Sequence, residues 1–277
     1  MMKGGILRYT GGKFRVARDL YALAPDQWGE MRDPFCGGNN FLWHLPPGKQ
    51  VWINDINPDV VKFWKSLRDD PSFIDDALAL KEKCETADNL EREFAWAKWR
   101  WQRTGHPVSY LLLNRHAYAQ FVKRSRPNIA SLSLMHISNG MACVTRKKFE
   151  QARDRLRGAK ITCGDYWTIL DDYNRDAFYL IDPPYLIGNA KHRGSALYDF
   201  EFTDEMMIQL YERLRDTRNR FLMTMGWGEL THQLFVLSGE FITTARKYSY
   251  TNVIRTLGRE DRVTGEALEL VVRNYEI

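Results

Sequence analysis

A chain of 277 residues, 44% hydrophobic and 13% aromatic, has enough apolar material for one large α/β domain with an inserted lobe or for two small domains, which excludes wholesale disorder. Its formal net charge of +5 permits a nucleic-acid partner without requiring one. The four cysteines form no CxxC pair and no ligand cluster with histidine, and the first residues hold no apolar leader core. No apolar run reaches the ~18 residues that span a bilayer, so the expectation is a soluble, cytoplasmic protein with reduced thiols and no metal.

In chain order, Tyr9-Thr10-Gly11-Gly12-Lys13 reads first, as a basic glycine turn. It lacks the spacing of a phosphate-binding loop, but Lys13 there can hold a carboxylate, such as the amino-acid end of a cofactor. Glu30 to Asp33 reads as a short strand, Asp33-Pro34-Phe35-Cys36-Gly37-Gly38 as the turn after it, and a helix is expected from Asn39. Glycines let backbone approach a ligand closely, and a helix start is electropositive. Val51 to Ile53 is the next strand, stopping at Asn54-Asp55. A carboxylate roughly 20 residues after a glycine turn suits a ribose diol; a helix-capping aspartate is the competing reading. Pro58 fits the first turn of a helix running to about Arg68.

Residues 70–157 differ in character. Ala, Leu, Glu, Lys and Trp dominate, and the segment reads as mostly helical. Basic residues crowd there, among them Arg115, Lys123, Arg124 and Arg126, with Tyr110, Tyr118 and Phe121 interleaved. Trp96, Trp99 and Trp101 are expected to pack inside. From about residue 158 strand-and-turn character returns, with strands at Lys160 to Cys163, Ala177 to Ile181, Phe221 to Met225, Phe241 to Arg246 and Leu268 to Arg273. Thr203 reads as the cap of a helix ending near Arg218. In Cys163-Gly164-Asp165-Tyr166, Asp165 can accept from an adenine amino group, or merely close a turn. The simplest architecture is an α/β domain over 1–69 and 158–277, split by a helical, basic insertion over 70–157.

Ile181-Asp182-Pro183-Pro184-Tyr185 is the strongest motif, because it follows the buried-type run Ala177 to Ile181. Ligands of open α/β sheets bind just past the carboxyl ends of such strands. Two prolines stiffen the turn and remove two N–H donors. The Asp182 carboxylate and the Pro183 carbonyl can then accept both hydrogens of an amino group such as adenine N6. This turns the nitrogen lone pair toward an incoming methyl group. Tyr185 can stack on a purine taken out of the helix. A stiff surface turn is the competing reading.

These five motifs, in this order, resemble those of the Dam-type (D12 class) DNA adenine-N6 methyltransferases. Asn114-Arg115, after the apolar Tyr110 to Leu113, also resembles a landmark of that family's recognition lobe. The resemblance implies a Rossmann-like methyltransferase sheet with an inserted target-recognition lobe. It further implies transfer of a methyl group from S-adenosylmethionine to N6 of a flipped-out adenine in double-stranded DNA. Carried over, Tyr9, Lys13, Phe35, Gly37, Asp55, Asp165, Tyr166 and Asp182 bind the cofactor. Asp182, Pro183 and Tyr185 act on the base, and Asn114, Arg115, Lys123, Arg124 and Arg126 contact DNA. A bacterial or phage-infected cell is the implied setting, with the enzyme either solitary or paired with a restriction nuclease. Asn39-Asn40 stand where the family usually has a small residue. The run after Arg115 departs from that of GATC-type members, so no GATC specificity is carried over. The alternatives are an N4-cytosine or RNA adenine methyltransferase, or a DNA-binding protein on a decayed scaffold of this kind.

Overall fold

The computed structural model describes residues 5–9, 12–46, 48–117, 122, 133–135, 140–186, 200, 202–256 and 259–277. Among them, seven strands form one mixed sheet: β1 (Glu30–Asp33), β2 (Gln50–Asp55), β3 (Lys160–Cys163), β4 (Ala177–Ile181), β5 (Arg220–Gly226), β6 (Ile242–Thr256) and β7 (Arg259–Arg273). Their spatial order is β3-β2-β1-β4-β5-β7-β6. β1 to β5 run parallel, and β7 is antiparallel to both β5 and β6. Sheet growth reverses between β1 and β4: β1 is followed by β2 on one side, and β4 by β5 on the other. Such a switch point opens a crevice outside the carboxyl ends of the strands. This is the Rossmann-like architecture that the motif order implied.

The helices are α1 (Ala17–Tyr21), α2 (Pro58–Asp69), α3 (Phe73–Lys83), α4 (Ala87–Thr104), α5 (Pro107–His116), α6 (Arg146–Arg155), α7 (Trp167–Leu170), α8 (Asp204–Asp216) and α9 (Glu229–His232). Local sequence explains their limits. Asn57 caps α2 by accepting from the Asp59 N–H, and Pro58 occupies the first turn, where no N–H is needed. Thr203 caps α8 by accepting from the Met206 N–H, with Asp204 and Glu205 placed against the positive end of the helix dipole. Gly105, at φ +60°, ends α4.

Side chains alternate across the sheet and build a core on each face. One core joins Met31, Ile53, Phe178, Leu180, Leu222 and Val271 to Phe63, Phe73, Trp101, Leu111 and Phe149 of α2 to α6. The other joins Trp52, Tyr179, Ile181, Met223 and Val272 to Met207, Leu210 and Leu214 of α8. Burying one such leucine contributes about 1.5–3 kcal/mol. Central β4 is buried on both faces, as its unbroken apolar run requires.

The structure departs from expectation in several places. Asn39 has a positive φ of 47°, so no α-helix starts there; a 3-10 turn, Asn40–His44, follows instead. The helix expected to reach Arg218 ends at Asp216. β6 and β7 are 15 residues each, far longer than the two short strands expected. Trp101 packs inside, but Trp96 and Trp99 are exposed and stack on each other, with ring centroids 4.6 Å apart. Their spacing along α4 puts them together on its outer side, where Arg103 lies over Trp99. All four cysteines are free thiols. No described helix is long and apolar enough to cross a membrane.

Candidate active site

The parallel strands end at one edge, and each delivers part of the site. β1 delivers the turn from Asp33 to Gly38. Gly37 adopts φ +41°, and a Cβ there would lie 3.0 Å from the Tyr9 ring, so only glycine fits without strain. β2 ends at Asp55, whose two oxygens accept from the N–H groups of Gly37 (2.8 Å) and Asn57 (2.9 Å). Burial pushes the Asp55 carboxyl up to about 6, against the pull of those two N–H groups. β3 leads to Asp165, which accepts from the Tyr166 N–H. Tyr166 stacks on Phe35 with centroids 5.2 Å apart, and Phe202 meets Phe35 edge-on. The cofactor residues inferred from the sequence on these three turns therefore line a single edge of the sheet.

β4 delivers Asp182, where the sharpest geometry lies. The Lys13 ammonium stands 3.0 Å from Asp182 Oδ1 and 3.2 Å from Glu269 Oε1. Thr224, on β5, donates its hydroxyl to the same Asp182 Oδ1 at 2.9 Å. Both contacts fall on Oδ1. The Asp182 side chain is 23% exposed, so the site is reachable. The Tyr185 hydroxyl donates to Glu269 Oε1 at 2.5 Å, and Lys13 lies over the Tyr185 ring, 4.5 Å from its centroid.

Electrostatics follow from this packing. Burial pushes the Asp182 carboxyl above the usual range, and Lys13 and the Thr224 hydroxyl pull it back. For Lys13, burial opposes the charge, but Asp182 and Glu269 outweigh it and raise the ammonium above its ordinary value. Tyr185 is held well above its ordinary value by burial and by the two carboxylates, so its hydroxyl stays a donor. Asp33, fully buried behind the turn, is likewise pushed well up by burial, with Asp182 and Asp55 adding to the effect.

Lys13, expected to hold a carboxylate such as the amino-acid end of a cofactor, here pairs with Asp182 and Glu269 of the chain itself. Asn114 is buried and uses both ends of its amide on the Arg8 backbone, accepting at 2.7 Å and donating at 2.9 Å. Arg115 donates to the Gly140 carbonyl at 2.7 Å. Arg115 also reaches the Gly5 carbonyl at 3.5 Å, so both side chains contact the segment that leads to Lys13. Lys123, Arg124 and Arg126 lie outside the described residues. Sequence reasoning missed Thr224 and Glu269. The available signal was a lone polar residue inside the run Phe221 to Met225, and a glutamate two places before buried Val271, hence on the same face.

Comparison with known proteins bears on the same constellation. The family model described as D12 class N6 adenine-specific DNA methyltransferase matches residues 9–249. The type II methyltransferase M.MjaIII of Methanocaldococcus jannaschii is 23% identical over 238 residues, covering 78% of this chain and 82% of that protein. The type II methyltransferase M1.LlaDCHI of Lactococcus lactis subsp. cremoris is 21% identical, covering 97% of this chain and 94% of that protein. Among solved structures, the precorrin-6y C5,15-methyltransferase of Geobacter metallireducens overlays with a TM-score of 0.40 at 10% identity, covering 95% of this chain and 88% of that one.

Proposed function

Because the chain belongs to the D12 class of N6 adenine-specific DNA methyltransferases, we propose that Asp182, Pro183 and Tyr185 form its reaction centre, held in working geometry by Lys13, Thr224 and Glu269. The class transfers a methyl group from S-adenosylmethionine to N6 of adenine in DNA. The observation that carries the residue assignment is the one-sided use of Asp182. Lys13 and Thr224 both contact Oδ1, and the Asp182 side chain, 23% exposed, stands beside a stiff double-proline turn.

Asp182 Oδ2 and the Pro183 carbonyl accept the two N6 hydrogens of the target adenine. This concentrates the nitrogen lone pair on the face that attacks. Positioning of this kind supplies the rate without a covalent enzyme intermediate, so no catalytic cysteine is needed. The proton that N6 must lose has Asp182 as its nearest acceptor. Tyr185 offers its ring to the base, which reaches the site by leaving the stack of duplex DNA.

The residues of the neighbouring turns fit S-adenosylmethionine. In support, Gly37 lets the turn after β1 close against Tyr9, Asp55 and Asp165 offer carboxylates for ribose and adenine groups on the neighbouring turns, and half-buried Phe35 lies against the buried Tyr166 ring. When bound, S-adenosylmethionine supplies the electrophilic methyl group. Residues 70–157 serve as the DNA-recognition lobe in this reading, supported by their basic composition. The enzyme works in the cytoplasm, where bacterial DNA lies, and the type II names of its relatives are consistent with a partner restriction nuclease. Asp182→Ala tests the assignment. The variant should keep its fold but transfer no labelled methyl group to duplex DNA. Retained transfer would overturn it.

A further inference from the structure

Glu269 is the one member of the charged cluster that belongs to no recognised motif. It sits on β7, opposite Gly226 of β5, so its backbone is held by the ladder of the sheet. Its side chain is only 5% exposed. Burying a carboxylate costs several kcal/mol unless partners compensate. Its partners are Tyr185 and Lys13, both from the reaction centre, and it serves both with the same oxygen, Oε1.

Tyr185 needs such a partner. The two prolines before it fix the backbone, but nothing in the turn fixes rotation of the ring about its side-chain bonds. The contact at the phenol oxygen does. The ring is thereby held at both ends, by the stiff turn and by β7. Lys13 covers one face of the ring, so a stacked base takes the other.

We propose that Glu269 is a positioning residue for base methylation: it anchors the Tyr185 hydroxyl and, with Asp182, centres the Lys13 ammonium, and its reach matters more than its charge. This inference rests on the assignment of Asp182 to Tyr185 as the reaction centre.

Three variants separate reach from charge. Glu269→Ala removes the anchor. Glu269→Asp keeps the charge but shortens the side chain by one methylene. Glu269→Gln keeps an acceptor oxygen at full reach without the charge. Misplacing a reacting group by ~1 Å costs about 100-fold in rate, so kcat on plasmid DNA should fall by roughly that factor in the Ala and Asp variants, and Gln should recover about tenfold or more over Ala. S-adenosylmethionine affinity, read by calorimetry, should stay within about twofold of wild type in the Gln variant, which reports that the fold and cofactor site persist. Tyr185→Phe combined with Glu269→Ala should lose less than the product of the two single losses, because the Tyr185–Glu269 contact is removed in both.

Multiplicative losses in that double variant would overturn the proposal. An active Asp variant beside an inactive Gln variant would also do so, since charge would then be what counts. If wild-type protein transfers no methyl group to DNA, the underlying assignment fails instead. If wild type is active and Glu269→Ala is equally active, only the present inference falls.

Discussion

Lys13→Met deletes the cation shared by a buried carboxylate, Glu269, and a partly exposed one, Asp182. The ammonium lies 3.0 Å from Asp182 and 3.2 Å from Glu269, with side-chain exposures of 5%, 23% and 5% for Lys13, Asp182 and Glu269. Removing one partner from a buried ion pair costs ~3–5 kcal/mol. Partial exposure of Asp182 lets water take some of the load, so the lower end, about 3 kcal/mol, is expected near neutral pH. Against a typical total of ~5–15 kcal/mol, the variant still folds but is markedly weakened. The loss should also depend on pH. Burial already raises the Asp182 carboxyl in the folded protein, and Lys13 opposes that rise. Without Lys13 the folded value climbs further. A carboxyl raised on folding costs stability once ionised: the cost is absent below its unfolded value and complete above its folded one. The destabilisation measured by urea unfolding should therefore be larger at about pH 8 than at about pH 5, by more than ~1 kcal/mol, which is the worth of one pKa unit. Equal losses at both pH values, or a loss below ~1 kcal/mol at the higher, would refute the idea that Lys13 neutralises this pair.

Two further outcomes follow from the site. Asp55 stands at about 6, raised by burial, so it is ionised above that pH and protonated below it. If it accepts from cofactor hydroxyls, titration calorimetry should show S-adenosylmethionine binding weaken as pH falls through 6, and Asp55→Asn should flatten that dependence; an unchanged profile in the variant would move the ribose elsewhere. Asn114→Ala strands both a backbone N–H and a carbonyl of Arg8, a loss of about 2–3 kcal/mol by urea unfolding. DNA affinity at fixed salt should stay close to wild type in that variant, whereas a loss of about tenfold or more would mark Asn114 as a DNA contact.

What was legible in the sequence was local. β3 and β4 fall at the bounds read from the sequence, closed by the turns at Gly164 and Pro183, and β1 ends at Asp33 as read, before Pro34. The cap of α8 at Thr203 was visible because capping is a contact between residues close in the chain. The motif residues Lys13, Asp55 and Asp182 were legible because each stands on such a turn. Glu269 was harder to read, since the partners that define it lie 256 and 84 positions away, and its place on the face of Val271 marks it only once that face is known to be buried. The length of β6 and β7 was hidden for a related reason. Their extensions pair with each other through backbone groups, which any sequence carries, and residues 247–267 have no sustained apolar run to mark a strand. For Asn114 and Arg115, sequence offered polar groups suited to DNA. Only the three-dimensional path of the N-terminal segment shows that Asn114 meets the backbone of Arg8 and Arg115 that of Gly140.

The most direct test is nucleoside analysis by mass spectrometry of DNA and RNA from cells expressing the wild type or Asp182→Ala. The account predicts N6-methyladenine in DNA with the wild type and none above background with the variant. N4-methylcytosine in its place, methylation confined to RNA, or undiminished N6-methyladenine with Asp182→Ala would contradict it.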